Sequence, residues 1–151
     1  MLTVLRTTPD DPQFKKLILE LDRELHHRYG AEQVRFQQHN ILDNMASVIV
    51  IALDDLPQAC GCFRPAMHSG VAEVKRMYTT GKMRGKGMGS LVLAELEKWA
   101  IEVGYGKAIL ETGIYQPDAL ALYAKAGYLI IENYAPYRDS SYSICMEKIL
   151  K

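Results

Sequence analysis

The chain has 151 residues, a length that suits one domain with one core, so residues 1–151 are read as a single unit. Nearly half of the residues are apolar and about a quarter are charged, the balance of a globular protein. Its 18 basic and 18 acidic residues cancel, which argues against a nucleic-acid partner, since general nucleic-acid binders carry a basic excess. Residues 2–7 alternate weakly and read as a first strand, ended by Thr8-Pro9-Asp10. The stretch MLTVLRTTPDD has no basic start followed by an apolar run, so no export signal is expected and a cytoplasmic protein is. Asp11-Pro12 reads as a helix cap followed by proline in the first turn. Phe14, Leu17, Ile18, Leu21 and Leu25 then form a helical stripe, stopped at Tyr29-Gly30. Residues 31–45 give no clean period and read as a loop with a short helix.

Residues 46–53 are apolar apart from Ser47 and rich in β-branched side chains. They suit a central strand and are too short to span a bilayer, so no membrane partner is expected. Asp54-Asp55-Leu56-Pro57 reads as a turn into a partner strand over residues 58–66. That strand holds Cys60 and Cys62 on one face. With Cys145 they make an odd count in a chain without an export signal, which points away from a disulfide framework. Their spacing does not suit a zinc knuckle, and His26, His27, His39 and His68 show no ligand spacing, so no metal is assigned. The two cysteines read as small buried strand residues. His68-Ser69-Gly70 turns into a fourth strand over residues 71–79.

Residues 73–100, EVKRMYTTGKMRGKGMGSLVLAELEKWA, carry the strongest signal. Gly85, Gly87 and Gly89 stand two apart, with Lys82, Arg84 and Lys86 among them. The apolar period then becomes helical, placing Met88, Val92, Leu96, Trp99, Ala100 and Val103 on one face. A glycine loop feeding a helix presents unpaired N–H groups and the positive end of the helix dipole, which together favour an anion. The P-loop pattern fails here: Lys86 is followed by Gly87, and the spacing from Gly81 is one residue short. The dinucleotide fingerprint fails too, because the glycines run G-x-G-x-G.

The helix over residues 87–103 ends at Gly104 and Gly106, and residues 107–112 (KAILET) read as a buried strand. A strand–helix–strand crossover makes this fifth strand parallel to the fourth. Gln116-Pro117-Asp118 opens another helix carrying Ala119, Leu122 and Tyr123, which Gly127 ends. Strands over residues 128–131 and 141–148 complete one α/β unit, a largely antiparallel mixed sheet with one parallel junction.

Arg84-x-x-Gly87-x-Gly89, after a strand and before a helix, resembles motif A of the GCN5-related N-acetyltransferases (GNAT), which cradles the pyrophosphate of acetyl-CoA. Ala119-Leu120-Ala121-Leu122-Tyr123-Ala124-Lys125-Ala126-Gly127-Tyr128 is similar to that family's second cofactor segment, A-x-x-x-Y-x-K-x-G-F/Y. The strand order agrees, so the resemblance covers most of the chain. It implies the GNAT-type acyl-CoA N-acyltransferase fold, splayed at the parallel fourth and fifth strands and flanked by helices. It also implies acetyl-CoA as acetyl donor.

On this resemblance, backbone groups of Met77, Tyr78 and Thr79 line the pantetheine arm, with an N–H near Met77 polarising the thioester. Arg84, Gly85, Lys86, Gly87, Met88, Gly89 and Ser90 hold the pyrophosphate. Tyr123 approaches the sulfur and either protonates the leaving thiolate, orients the thioester or only packs. Glu73 either accepts the amine proton or pairs with Lys75 or Arg64. Many members carry Asn shortly before the second helix, where this chain has Gln116, assigned to the cofactor although Gln caps helices poorly.

Glu111, a charged residue in a short apolar strand, either faces the acceptor or pairs with a basic residue. Arg64, suited to holding a carboxylate bidentately, and Tyr134 and Tyr137, in a loop that borders the acceptor by family geometry, are the remaining acceptor candidates. The alternative for these three is a plain surface role. The expected reaction is acetylation of the primary amine of a small molecule, an amino acid or amine-like compound. A protein lysine or N-terminal acetyltransferase and a non-catalytic acyl-CoA sensor are the competing readings. The family analogy brings a homodimer as a further expectation.

Overall fold

A computed structural model describes residues 1–30 and 46–151; the loop and short helix expected over residues 31–45 lie outside the described residues. Strand β1 (Leu2–Thr7) leads into helix α1 (Pro12–Tyr29). Asp11 caps α1: its Oδ1 accepts from the amides of Gln13 at 2.8 Å and Phe14 at 3.3 Å, and proline occupies the first turn, where no N–H is missed. Phe14, Leu17, Leu21, Leu25 and Tyr29 form the buried stripe of α1, at the three- and four-residue steps that keep side chains on one helix face.

Strands β2 (Ser47–Leu53) and β3 (Leu56–Pro65) form a hairpin whose turn is shorter than the expected four residues. Only Asp54 and Asp55 turn, with φ of 49° and 67°. Leu53 pairs directly with Leu56. Two successive left-handed residues match the twist of the flanking strands, and aspartate tolerates that conformation better than most side chains. Pro57 therefore lies inside β3, beside the register shift at Ile51/Ala52. Such an irregularity is where a strand accommodates a residue lacking an N–H.

Strand β4 (Val71–Thr79) pairs antiparallel with β3, but the register slips between Cys60 and Cys62. Cys60 faces Tyr78 while Cys62 faces Lys75, so Arg76 and Met77 together oppose Gly61. Arg76 sits at φ 59°, a left-handed conformation that costs about 1–2 kcal/mol outside glycine. The extra residue resets the alternation. Val74 and Met77 both reach the core on one face of the sheet, while Arg76 and Tyr78 are directed towards α1 and Lys75 reaches Tyr137.

Helix α2 (Met88–Glu102) follows a short 3-10 turn over Gly81–Met83, and buries Met88, Val92, Leu93, Leu96 and Ala100. Val103 does not join this face. It is 57% exposed because the helix has ended and Val103 is its C-cap, so the helical period no longer applies there. Strand β5 (Lys107–Gly113) runs parallel to β4, paired only from Val71↔Lys107 to Val74↔Leu110. Helix α3 (Pro117–Lys125), strand β6 (Leu129–Ile131) and strand β7 (Ser143–Ile149) complete the described chain. The strands form one sheet of order β1-β2-β3-β4-β5-β7-β6.

Helices α2 and α3 cover one face over the larger apolar cluster, and α1 covers the other. Cys60 and Cys62 lie in the cluster under α1, where burial pushes both thiols well above the ordinary range. Among the described residues, no helix is long and apolar enough to cross a membrane.

Candidate functional site

Beyond Val74 the two parallel strands part. β5 stays paired with β7 along its whole length, while β4 continues to Thr79 without a β5 neighbour. A groove of about 530 Å³ opens at this splay. Met77, Tyr78 and Thr79 form one wall, the loop from Arg84 to the start of α2 forms its end, and α3 closes the other side with Leu122 and Tyr123. Gly85 and Gly87 stand at φ 76° and 81°, and a Cβ on either would meet nothing within 4 Å. The loop therefore curls around open space, with the first-turn amides of α2 behind it. Gly89 is tighter: a Cβ there would lie 3.0 Å from Leu122, so it lets α2 and α3 approach. Met88 and Ser90 also line the groove, whereas Lys86 is exposed and does not.

Arg84 is already engaged. Its Nε donates to the Thr79 carbonyl at 3.0 Å, its guanidinium bonds Glu24 of α1 at 2.5 Å, and it lies over the Tyr78 ring at 5.6 Å. The hydrogen bond to Glu24 is the main cause that raises its pKa, so Arg84 stays cationic.

Gln116 does not cap α3 with its side chain. Its Oε1 accepts from the Gly113 amide at 3.1 Å and from Tyr29 Oη at 3.5 Å, tying the β5–α3 turn to the end of α1. Tyr29 Oη in turn accepts from the Tyr115 amide at 3.2 Å. A Cβ on Gly113 would fall only 1.6 Å from that oxygen, so the turn and the tyrosine fit only because residue 113 is glycine. Tyr29, Tyr115 and Tyr142 pack ring against ring around this point.

A second, smaller cavity of about 70 Å³ adjoins the groove. Leu21, Met77, Gln116 and Tyr123 line both spaces and so form the joint between them. Tyr123 is 5% exposed, with its ring edge-on to Tyr128 at 5.9 Å. Burial, and then the charge of Glu111, push its pKa far up, so the phenol keeps its proton at any working pH.

The far wall of the small cavity carries Lys75 and Glu111. Glu111 Oε2 is buried and has no hydrogen-bond partner among the described residues. Burial raises its pKa to about 7, opposed by a hydrogen bond from Ser143 and by the charge of Lys75. Lys75 is 8% exposed; its Nζ donates to Tyr137 Oη at 3.2 Å and lies 3.9 Å from Glu73 Oε2. Burial lowers the Lys75 pKa, against the charges of Glu73 and Glu111. Tyr134 Oη donates to the same Glu73 oxygen at 2.8 Å, and its ring packs edge-on against that of Tyr137. Asn133 holds the loop bearing these tyrosines by donating to the carbonyls of Tyr137, Ser140 and Ser143.

The structure thus brings Met77, Gln116, Tyr123 and Glu111 to one place. Glu73, Tyr134 and Tyr137 stand behind Lys75 and line neither space, and Arg64 stands opposite Glu73 in the β3–β4 register. Sequence reasoning gave Lys75 only as a partner for Glu73 and Tyr29 only as the stop of the first helix, and passed over Arg76. A Lys-Arg doublet inside an apolar strand was the available signal for Lys75 and Arg76, since two adjacent cations in one strand break its alternation.

The sequence and the fold have counterparts among known proteins. The sequence model of the Acetyltransferase (GNAT) family matches residues 12–128. An IAA acetyltransferase of Azospirillum brasilense is 32% identical over 150 residues, covering 99% of this chain and 98% of that protein. The crystal structure of a candidate acyl-CoA N-acyltransferase from Klebsiella pneumoniae subsp. pneumoniae superposes with a TM-score of 0.83 at 30% identity, covering 100% of this chain and 99% of the other. A GNAT family acetyltransferase of Elizabethkingia anophelis, solved with acetyl-CoA bound, shares the fold at a TM-score of 0.72 and 17% identity, covering 99% of this chain and 98% of that one.

Proposed function

The chain belongs to the GNAT family of acetyltransferases, and from that premise we propose that it transfers the acetyl group of acetyl-CoA directly to the primary amine of a small molecule, an amino acid or an amine-like compound. One observation carries the reading. The long groove and the small cavity meet at Met77, Gln116 and Tyr123, so a thioester lying in the groove and an amine in the cavity would meet beside a protonated phenol.

The residues present suit acetyl-CoA. Residues 84–90 curl around open space at the start of α2, where a pyrophosphate would meet amides and a helix dipole. Met77, Tyr78 and Thr79 offer backbone on the side of β4 that β5 leaves, for an extended amide-bearing arm. When bound, acetyl-CoA supplies an activated acyl group and a thiolate leaving group. The chain's own residues then divide the work. The Met77 amide polarises the carbonyl, and Tyr123 donates its proton to the departing sulfur. Glu111 accepts the proton of the amine: it lines the cavity, has a free oxygen and titrates near neutrality. Glu73, bonded to Tyr134 and near Lys75, orders that wall.

Release of free thiol from acetyl-CoA, assayed over a panel of amines and amino acids, tests the reading. Acceptor-dependent release and a matching N-acetyl product by mass are expected. Tight acetyl-CoA binding with no acceptor-dependent release would overturn it in favour of a sensor. Activity confined to protein lysines or N-termini would overturn the small-molecule assignment.

A further inference from the structure

We propose that Lys75 binds a carboxylate on the acceptor, and that the preferred acceptor is a small amino acid rather than a simple amine. This rests on the proposed acetyl transfer and specifies its acceptor.

Lys75 is a buried cation on the wall of the acceptor cavity, next to the strand bulge. A buried charge is costly unless paired and hydrogen-bonded. Its nearest partner is the neutral hydroxyl of Tyr137 at 3.2 Å, and its ion pair to Glu73 is loose at 3.9 Å. The same Glu73 oxygen already accepts from Tyr134 at 2.8 Å. An ammonium carries three donors, so Lys75 retains hydrogen-bonding capacity towards the cavity it lines.

Glu111 stands next to it. The last paired step of the parallel junction is Val74↔Leu110, which makes Lys75 and Glu111 the following residues on the two strands as they part. Both line the cavity, yet among the described residues no ion pair within 4 Å joins them, and Glu111 Oε2 has no hydrogen-bond partner. Opposite charges held close but apart suit a molecule bearing the complementary pair, its ammonium on Glu111 and its carboxylate on Lys75.

Charge balance sharpens the choice. A simple amine would answer the charge of Glu111 and leave Lys75 facing the cavity without a carboxylate of its own. An amino acid answers both charges at once. Leu21, Leu25 and Val74 supply the apolar remainder of the wall for its side chain.

The test compares matched acceptors with the wild-type protein: alanine, leucine, methionine and phenylalanine, each beside its methyl ester and its decarboxylated amine. The free acids are expected to show kcat/KM at least 30-fold above both counterparts. The ester comparison is the stringent one: intrinsic reactivity works against the acid there, because the ester's less basic amine is more often neutral, whereas the plain amine is more basic than the acid's. In Lys75→Gln the acid-to-ester ratio should fall at least tenfold, whatever the absolute rates, since a purely structural lysine would lower both alike.

If wild type acetylates the esters or plain amines as well as the acids, the carboxylate preference is wrong while the acetyl transfer stands. If the preference survives in Lys75→Gln, Lys75 is not its source. If no acceptor releases thiol, the proposed function falls and this inference with it. The wild-type series decides the preference even if the variant fails to fold.

Discussion

The sulfur of Met77 occupies the space a side chain on Gly61 would need: a Cβ at residue 61 would lie 2.4 Å from it, and 2.9 and 3.1 Å from methyls of Val92 and Leu96. The β4 bulge creates this crowding by turning Met77 back towards α2, at the point where β4 leaves β5. Gly61→Ala would therefore push Met77 against a closed wall of α2 side chains. Overpacking of this kind costs about 1–3 kcal/mol, or roughly 2–4 °C of Tm for each kcal/mol in a domain of this size. Thermal unfolding should show that loss, and turnover should fall with it as the Met77 backbone moves. A variant with unchanged Tm and full turnover would mean that the bulge does not depend on Gly61.

Gly87 offers the opposite case, a glycine in open space at φ 81°. Gly87→Ala should cost about 1–2 kcal/mol of stability for the left-handed backbone, with no steric clash. Gly87→Glu should cost a similar amount of stability and, in addition, lower acetyl-CoA affinity by more than 100-fold, because it sets a negative charge against the pyrophosphate. Calorimetric titration of the two variants isolates the second effect. Equal affinities in both would remove the loop from the cofactor site.

The long-range architecture was legible because its signals are local and periodic. Asp11-Pro12, the α1 stripe and the glycine run before α2 each state their structure in the chemistry of neighbouring residues. What escaped prediction depends on two strands at once. No single-strand pattern announces that Arg76 adopts a left-handed conformation, because the slip is defined against Gly61 on β3. The same slip carries Arg76 to Asp22 of α1 at 2.7 Å and leaves Lys75 on the cavity wall. The turn at Asp54-Asp55 was placed, but its two-residue length follows from strand twist, which the composition of the four residues does not reveal. For the proposed site, motif position singled out Tyr123 and residues 84–90, which line the groove apart from exposed Lys86. The roles proposed for Glu73 and Glu111 rest on burial and partners, because two strand glutamates look alike until one is seen bonded to Tyr134 and the other facing the cavity.

Tyr123→Phe removes one oxygen at the joint of groove and cavity and keeps the ring against Tyr128. If the phenol protonates the leaving sulfur, kcat should drop about 100-fold or more, within the range typical of a lost general acid. Acetyl-CoA affinity should change by less than threefold, since packing and groove shape survive. Steady-state kinetics alongside equilibrium titration separates the two. An unaltered kcat would leave Tyr123 a packing residue.

Glu111 ties activity and stability to pH with opposite signs. As a base it must be ionised, so kcat/KM should rise with pH through an inflection near its pKa of about 7. Glu111→Gln should abolish that limb and lower the plateau at least 100-fold. For stability, the folded pKa lies above the ordinary carboxylate value, so between about 4.5 and 7 the folded state holds a proton that the unfolded chain has released. The folded state therefore loses stability as pH rises across that window, by on the order of 3 kcal/mol, and the loss is complete above it. Glu111→Gln cannot ionise, so its denaturation midpoint should fall less than that of wild type between pH 5 and 8. The sign arises because burial, the largest cause, outweighs the hydrogen bond from Ser143 and the charge of Lys75, both of which pull the other way. Denaturant titrations of both proteins at pH 5 and pH 8 measure the difference. Parallel shifts in the two proteins would mean that Glu111 ionises in the folded state as readily as in water, and the catalytic base would then have to be sought in Glu73 or in solvent.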